Sequence, residues 1–492
     1  MKSRAMRIKA TFLALVLVLS VALAGCGDNA ADENMPNNAS QTSATGEIVT
    51  ESSEEKIILR IVTEEGSDET VRFDDQLERL IKRYEYLNKN VDIVLEHIPQ
   101  MSGNDIALQR LRSEILAGDG PDIFLLSCEQ HYDSEPLIKD VNLAMRNGIF
   151  TDISKYYDAD TELGKESLNT TVMNAGVVDG ARYVLPLRYN FPVVYVNVDK
   201  LAESGLTTDS FQHGIINLLD TTVQYADETF AFNGLLGHVR RQYTLNFFPH
   251  ILDYDNQEIL ITEDELMTYM RSSQAVRKLN DGRQPQVHLY SYFGTFPDPY
   301  WGATQNCVLI DDLEAAIANV SMAQAYGINL EMIPLTASDG SLVADVTFYG
   351  AIGGQCEHPD IAYDFLRQLL TEDFQWEKNT EVHNDYVKYT ALAREGWPVR
   401  TVGSVAPLAK STYDQIVWDN SKMKLEFRLQ DMTDDNIPLL QTKIDHVRFS
   451  IPLERELERI VREEVKENST EADMRSLADQ WLQALQWHLF EG

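Results

Sequence analysis

Ile57–Val62 (IILRIV), Val71–Leu87 (VRFDDQLERLIKRYEYL), Val91–Ile98 (VDIVLEHI), Asp105–Leu116 (DIALQRLRSEIL) and Asp122–Ser127 (DIFLLS) follow one another, and the apolar period changes at each step. The first is a continuous apolar run, the mark of a buried strand. The second carries Phe73, Leu77, Leu80, Ile81, Tyr84 and Leu87 at helical spacing, so it is an amphipathic helix with one face to bury. Val91–Ile98 alternates as a strand does. In Asp105–Leu116 the residues Leu108, Leu111 and Ile115 share a helix face, and Gly118 and Gly120-Pro121 end it. Asp122–Ser127 is again a short apolar strand. Strand, helix, strand, helix, strand is the pattern of a parallel α/β sheet with right-handed crossovers.

Downstream the pattern loosens after Thr151. Tyr183–Val198 holds two strand-like runs around Pro186 and Pro192, Val308–Ile310 and Leu330–Leu335 read as short strands, and Pro359–Thr371 as a helix burying Ile361, Ala362, Phe365 and Leu369. The end is helical over Pro452–Lys466 and Thr470–Leu489. Residues 201–300 mix weak helical patterns with loops rich in Tyr and Phe.

Upstream, Lys2, Arg4, Arg7 and Lys9 precede an apolar run over Ala10–Ala24, with small residues at Ala22, Ala24 and Gly25. This is the order of a secretory signal, and the run is short for a membrane span of about 20 residues. Leu23-Ala24-Gly25-Cys26 resembles a bacterial lipobox, which implies that Cys26 is lipidated and becomes the first residue after cleavage. An acyl chain holds a soluble protein on a membrane surface. Gly27–Lys56 is polar, lacks aromatic residues and reads as a flexible tether spanning roughly 30 Å.

The 492 residues carry 42 Lys and Arg against 77 Asp and Glu, a net charge of −35, and loss of the four basic residues of the signal takes it to −39. Such a field repels nucleic acid and anionic lipid, so neither is expected as a partner. Cys128, Cys307 and Cys356 cannot all pair and are spaced unlike a zinc motif, so they read as buried apolar residues.

Four stretches together resemble the extracellular solute-binding proteins (family 1 type) of ABC importers, chiefly the carbohydrate branch. Leu111–Phe124 (LRSEILAGDGPDIF) is similar to that family's helix, AG-x-x-PD turn and strand. Gly180–Pro186 (GARYVLP) with Tyr195–Asn197 (YVN) resembles its dGk-x-y-x-x-P … yyN passage. Ala362–Leu370 (AYDFLRQLL) resembles a helix of the first lobe, and Gly396–Arg400 (GWPVR) its G-x-P-v-r turn. The pattern is departed from at Val196, where a second aromatic is usual, and at Asn306–Ile310 (NCVLI).

The resemblance implies an α/β, two-lobed, periplasmic-binding-protein-like fold with hinge strands and a helical C-terminal part. The expected division is a signal peptide over 1–25, the lipidated Cys and tether over 26–56, lobe 1 over 57–168, lobe 2 over 169–325, a return to lobe 1 over 326–371, and a C-terminal helical part packed on lobe 2 over 372–492. Hinge closure on a solute follows, with an ABC permease in the cell membrane as partner. The protein is then lipid-anchored, extracellular and monomeric.

Ligands of α/β sheets bind beyond the carboxyl ends of strands. That rule selects Glu64 after the first strand, Ser127 and Glu129 after the third, Asp311 after Val308–Ile310, and Tyr349 after Val346–Phe348. Sugars need aromatic faces for C–H surfaces and planar polar groups for hydroxyls. Phe293–Trp301 (FGTFPDPYW) offers Tyr300 and Trp301, and Arg188, Tyr189 and Asn190 offer a cation, a ring and an amide together. Each has a plain structural alternative: a solvated acid, a loop anchor or a strand-pairing residue. Asp253–Glu258 faintly resembles a calcium loop but lacks its Gly and distant Glu. No hydrolase, zincin, P-loop or dinucleotide motif is present, Cys356 and His358 need spatial proof of a dyad, and no metal or cofactor is implied. The expected function is solute capture without catalysis, the solute being a mono- or oligosaccharide. A peptide, polyamine or other cation as ligand, a surface glycoside hydrolase and a sensor-partner lipoprotein are the alternatives.

Overall fold

The structure is a computed structural model. It describes residues 56–64, 71–98, 105–128, 136–198, 202, 205–207, 210, 214–225, 250–280, 308–312, 330–371, 374–375, 397–398, 416–420, 423–427 and 443–491. The signal, Cys26, the tether up to Glu55, Glu129, Tyr300, Trp301 and Cys307 lie outside the described residues.

The opening alternates as its sequence does: β1 (Ile57–Glu64), α1 (Val71–Leu87), β2 (Val91–Ile98), α2 (Asp105–Ala117) and β3 (Ile123–Ser127). β1 pairs in parallel with both β2 and β3. Leu59, Ile61 and Val62 are fully buried because helices cover this sheet. Gly118 ends α2 at φ +85°, a left-handed conformation that glycine adopts without a Cβ penalty.

Short elements follow: α3 (Val141–Arg146), α4 (Ser154–Ala159), α5 (Thr170–Asn174) and the β4 (Val177–Val178) and β5 (Ala181–Arg182) hairpin. Then come β6 (Val184–Asn190) and β7 (Pro192–Asn197), which belong to different sheets. α6 (Gly214–Tyr225), the β8 (Leu252–Asp253) and β9 (Glu258–Ile259) hairpin, α7 (Glu263–Asn280), β10 (Val308–Asp312) and β11 (Leu330–Pro334) come next. β12 (Val343–Ile352), α8 (Pro359–Gln368) and β13 (Trp397–Pro398) return to the first sheet and its covering layer. β14 (Ile416–Asn420) and β15 (Met423–Phe427) form a separate hairpin. β16 (His446–Arg448), α9 (Pro452–Arg459) and α10 (Glu471–Glu491) complete the chain.

The first sheet runs β13-β6-β12-β3-β1-β2, with β16 beside the start of β12. β12 is antiparallel to its neighbours β3 and β6, so β1, β2, β3 and β6 all end at the edge where β12 begins. The second sheet is β10-β7-β11, antiparallel throughout.

Among the described residues two separate hydrophobic cores result. The first gathers Leu59, Leu77, Phe124, Val184, Tyr349 and Phe365 around the large sheet. The second gathers Val194, Leu218, Met267, Ile333, Trp481 and Leu485 around the small sheet and the C-terminal helices. Among the described residues the chain changes core three times: between Val193 and Val194, between Leu335 and Leu342, and between Phe449 and Ile451. The first crossing lies well beyond the division at 168/169 expected from sequence. Val172, Met173, Val178 and Val184 still belong to the first core, because the short helices and the hairpin fold back on it before the chain leaves. Likewise the return falls at 335–342 rather than 326, and Phe374, Ile444 and Phe449 keep part of the 372–492 segment in the first core.

The helix expected over Pro452–Lys466 breaks after Arg459 into a π turn, where the Val465 N–H donates to the Ile460 carbonyl. Glycine is obligatory at Gly176, where a Cβ would sit 2.0 Å from the Val184 carbonyl oxygen. Among the described residues no helix is long and apolar enough to cross a membrane.

Candidate functional site

The edge where β1, β3 and β6 end carries a polar cluster. Thr63 and Glu64 close β1, Ser127 closes β3, and Arg188, Tyr189 and Asn190 close β6. β12 runs between the latter two strands, so Phe348 opposes both Ser127 and Arg188, Val346 opposes Tyr189 and Asp345 opposes Asn190. The register slips around Thr347, which bulges. Its carbonyl accepts the Cys128 N–H at 2.8 Å and the Ser127 hydroxyl at 3.3 Å. A bulge of this kind re-aims side chains at the end of a sheet. β13 lies outside β6 with Trp397 opposite Tyr189 and Pro398 opposite Arg188, so the stretch resembling the G-x-P-v-r turn borders the cluster.

Burial sets the electrostatics. The Glu64 carboxyl is pushed up to about 7 by desolvation, which outweighs N–H bonds from the Ser127 and Leu137 backbones. It is therefore divided between acid and carboxylate at neutral pH, able to donate as well as accept. Beside it the Thr63 hydroxyl is fully buried and has no hydrogen-bond partner among the described residues. Arg188 and Asn190 are also buried, and the Asn190 side-chain carbonyl accepts the Phe191 N–H. Burial pushes the Tyr189 phenol up to about 12, against a hydrogen bond with Asn169.

Glu64, Ser127, Arg188, Tyr189 and Asn190 thus converge on one sheet edge, next to the first crossing. Asp311 lies on the second sheet, where β10 pairs with β7 so that its backbone opposes Val193. Tyr349 lies deeper than these, with its phenol close enough to Glu64 to interact. It is 1 % exposed, with Phe150 and Phe449 packed edge-on at 6.2 and 5.9 Å, and burial holds its phenol well above the ordinary value. Its place is the first core, two residues past the bulge. Glu129, Tyr300 and Trp301 lie outside the described residues.

Thr347 and Asp345 are the site neighbours that sequence reading passed over. Their signal was present: all ten residues of β12 are buried, so an acid and a hydroxyl within it need partners. Asp345 finds its partner in Arg448 at 2.7 Å, 103 positions away.

Two weaker motifs are used up locally. The Asp253 carboxylate accepts the Asp255 and Asn256 N–H groups and the Asn256 side-chain amide, an Asx turn. Among the described residues no group of three or more His, Cys, Asp or Glu side chains could hold a metal ion. Among the described residues Cys128 and Cys356 form no disulfide, and burial with nearby Asp122 pushes the Cys356 thiol up to about 12.

Residues 68–221 match the family described as bacterial extracellular solute-binding protein. No curated protein matches the chain. Among solved structures, a family 1 extracellular solute-binding protein of Alicyclobacillus acidocaldarius is 14 % identical, covers 89 % of this chain and 99 % of its own, and superposes with a TM-score of 0.50. A de novo designed cysteine esterase is 13 % identical over 89 % of this chain and 100 % of its own, at 0.52, and the activity in its name is that design's own. A cyclic α-maltosyl-1,6-maltose binding protein of Arthrobacter globiformis is 16 % identical over 88 % and 100 %, at 0.48. The chain has the fold of the extracellular solute-binding proteins. Its residues 68–221 also carry that family's sequence pattern.

Proposed function

We propose that this protein is the solute-binding component of an ABC importer, which captures a mono- or oligosaccharide between its two lobes and delivers it to a membrane permease. The observation that carries the reading is the position of the polar cluster. Glu64, Ser127, Arg188 and Asn190 sit at the carboxyl edge of the first sheet, beside the crossings that link two independent cores. A linker of three crossings permits the lobes to rotate as bodies, and a solute that touches both shifts the population toward the closed form.

The chemistry of the cluster suits hydroxyl groups. Glu64, poised between acid and carboxylate, can meet a hydroxyl as donor or acceptor, while Arg188 and Asn190 supply planar donors. Asp311 answers from the second lobe, and Tyr300 and Trp301 are assigned the stacking faces a sugar ring requires. Lipidation at Cys26 keeps the protein at the outer face of the cell membrane, near its permease, and it acts as a monomer without catalysis.

A thermal-shift panel of neutral mono- and oligosaccharides, amino acids, peptides, polyamines and divalent ions tests the proposal. A solute at a hundred times its Kd stabilises by about 2.7 kcal/mol. A neutral sugar should shift the melt, and the shift should shrink in Arg188→Lys. Stabilisation by polyamines alone would replace the sugar by a cation, and hydrolysis of an oligosaccharide would make the protein an enzyme.

A further inference from the structure

His250 and His446 meet from elements of different cores, on residues the proposed solute site does not use. His446 opens β16 of the first sheet, and His250 immediately precedes Ile251 of the second core. Nε2 of His250 lies 3.1 Å from Nδ1 of His446, the ring centres are 4.7 Å apart and the ring planes cross at 77°. A straight hydrogen bond would set the ring centres two ring radii farther apart than the nitrogens, and these centres are nearer than that. Neither nitrogen therefore aims squarely at the other.

The backbone holds both residues in place. The His446 N–H donates to the Leu342 carbonyl, and Leu342, at the end of the second crossing, gives its own N–H to the Asp445 carboxylate. On the other side the Ile251 carbonyl accepts the Leu260 N–H, which fixes the entry to the β8–β9 hairpin. Asp253, Asp339 and Asp445 lie close enough to one ring or the other to interact, as does Arg448. Arg448 is paired with Asp345 and Lys443 with Asp445, so Asp253 and Asp339 tip the local field toward a cation.

Two ring nitrogens 3.1 Å apart, each about 2.1 Å from a common ion, subtend roughly 95° at it. That is close to the right angle of tetragonal coordination, which copper(II) and nickel(II) prefer with nitrogen and oxygen ligands. We propose that His250 and His446 chelate a divalent transition-metal ion, copper(II) best of the series, and so tie β16 to the segment entering β8. The ligand form is neutral imidazole. The ion replaces the proton between the rings, which moves to the other nitrogen of its own imidazole, so two lone pairs make two bonds and both rings stay neutral. Among the described residues no group of three His, Cys, Asp or Glu side chains forms here, and both rings are open to solvent at least in part, so water fills the remaining positions. Mg²⁺ and Ca²⁺ take oxygen ligands and gain little from two imidazoles. The proposal needs neither a solute nor a permease.

Copper(II) titration of the full chain in detergent with Mg²⁺ in excess, followed by electron paramagnetic resonance, tests it. One ion per chain should bind with superhyperfine coupling from two imidazole nitrogens. His250→Gln and His446→Gln should each lose roughly tenfold or more in affinity, since a missing ligand costs at least as much as a misplaced one. Each should keep coupling from no more than one nitrogen, while His358→Gln should bind as the wild type does. The wild-type coupling decides the question even where a variant fails to fold. Coupling from fewer than two nitrogens in the wild type overturns the chelate, as does binding that Mg²⁺ displaces or an affinity unchanged in both variants, because the acidic surface would then be holding the ion diffusely.

Discussion

Glu64→Gln should make the protein about 2 kcal/mol more stable at pH 8 and about 1 kcal/mol less stable at pH 4. The wild-type carboxyl titrates at about 7 in the fold, against an ordinary 4.5. Below pH 4.5 it is protonated whether the chain is folded or not, and burial costs it nothing extra. Between pH 4.5 and 7 the unfolded chain ionises freely while the fold resists, so the wild type loses stability as pH rises through this window and stays at that lower level above it. A shift of about 2.5 units corresponds to roughly 3.4 kcal/mol at 1.36 kcal/mol per unit. Glutamine escapes that loss. It retains one carbonyl for the Ser127 and Leu137 N–H groups, and one weakened hydrogen bond costs it about 1 kcal/mol. The variant should therefore gain about 2 kcal/mol at pH 8, or roughly 5 °C in Tm for a lobe-sized unit. Paired thermal or urea melts at pH 4 and pH 8 measure both ends. A variant less stable than the wild type by the same amount at both pH values would refute the reasoning, because Glu64 would then be acting as an ordinary ionised acceptor.

Trp481 is buried in the second core and donates its indole N–H to the Leu453 carbonyl at 2.7 Å, so Trp481→Ala should cost about 3–5 kcal/mol in urea unfolding; a loss below 1 kcal/mol contradicts its place there. Gly176→Ala should destabilise by about 1–3 kcal/mol through its clash with the Val184 carbonyl, more than Gly180→Ala, where the φ of +81° is unfavourable but a Cβ meets nothing within 4 Å. Equal melts for the two variants would contradict the close approach. Cys356, its thiol raised to about 12, should resist alkylation at pH 8 until the protein is denatured. Rapid labelling of Cys356 in the native protein, read by mass spectrometry, would show the burial to be wrong.

Sequence carried the fold where periodicity was local and strong. β1 to β3 with their helices, α8 and α10 could be read because each buries one face of a regular repeat. α7 could not. It buries Ser272, Ser273 and Gln274 among its apolar residues, and Gln274 is satisfied by the Lys466 and Ser469 carbonyls nearly two hundred positions away. β12 was visible only as a fragment, since a strand buried on both faces and bulged at Thr347 has no alternation. The same distance effect limited the site. Arg188, Tyr189 and Asn190 stood out as a polar run within an apolar strand, and the strand-end rule found Glu64 and Ser127. The rule reaches Tyr349 through the fragment Val346–Phe348, although β12 runs on to Ile352 and its beginning shares their edge; the Tyr349 phenol nevertheless comes close enough to Glu64 to interact. The pairing of Asp345 with Arg448 has no local pattern and became visible only when β16 was seen beside β12.

Small-angle scattering with and without the best-stabilising neutral sugar tests the central claim most directly, since solute capture between hinged lobes must change the shape of the whole molecule. The account predicts a smaller radius of gyration at saturation, and a weakened response in Arg188→Lys at the same sugar concentration. A radius unchanged by every sugar that binds would contradict closure, and contraction with polyamines but with no sugar would contradict the assigned solute.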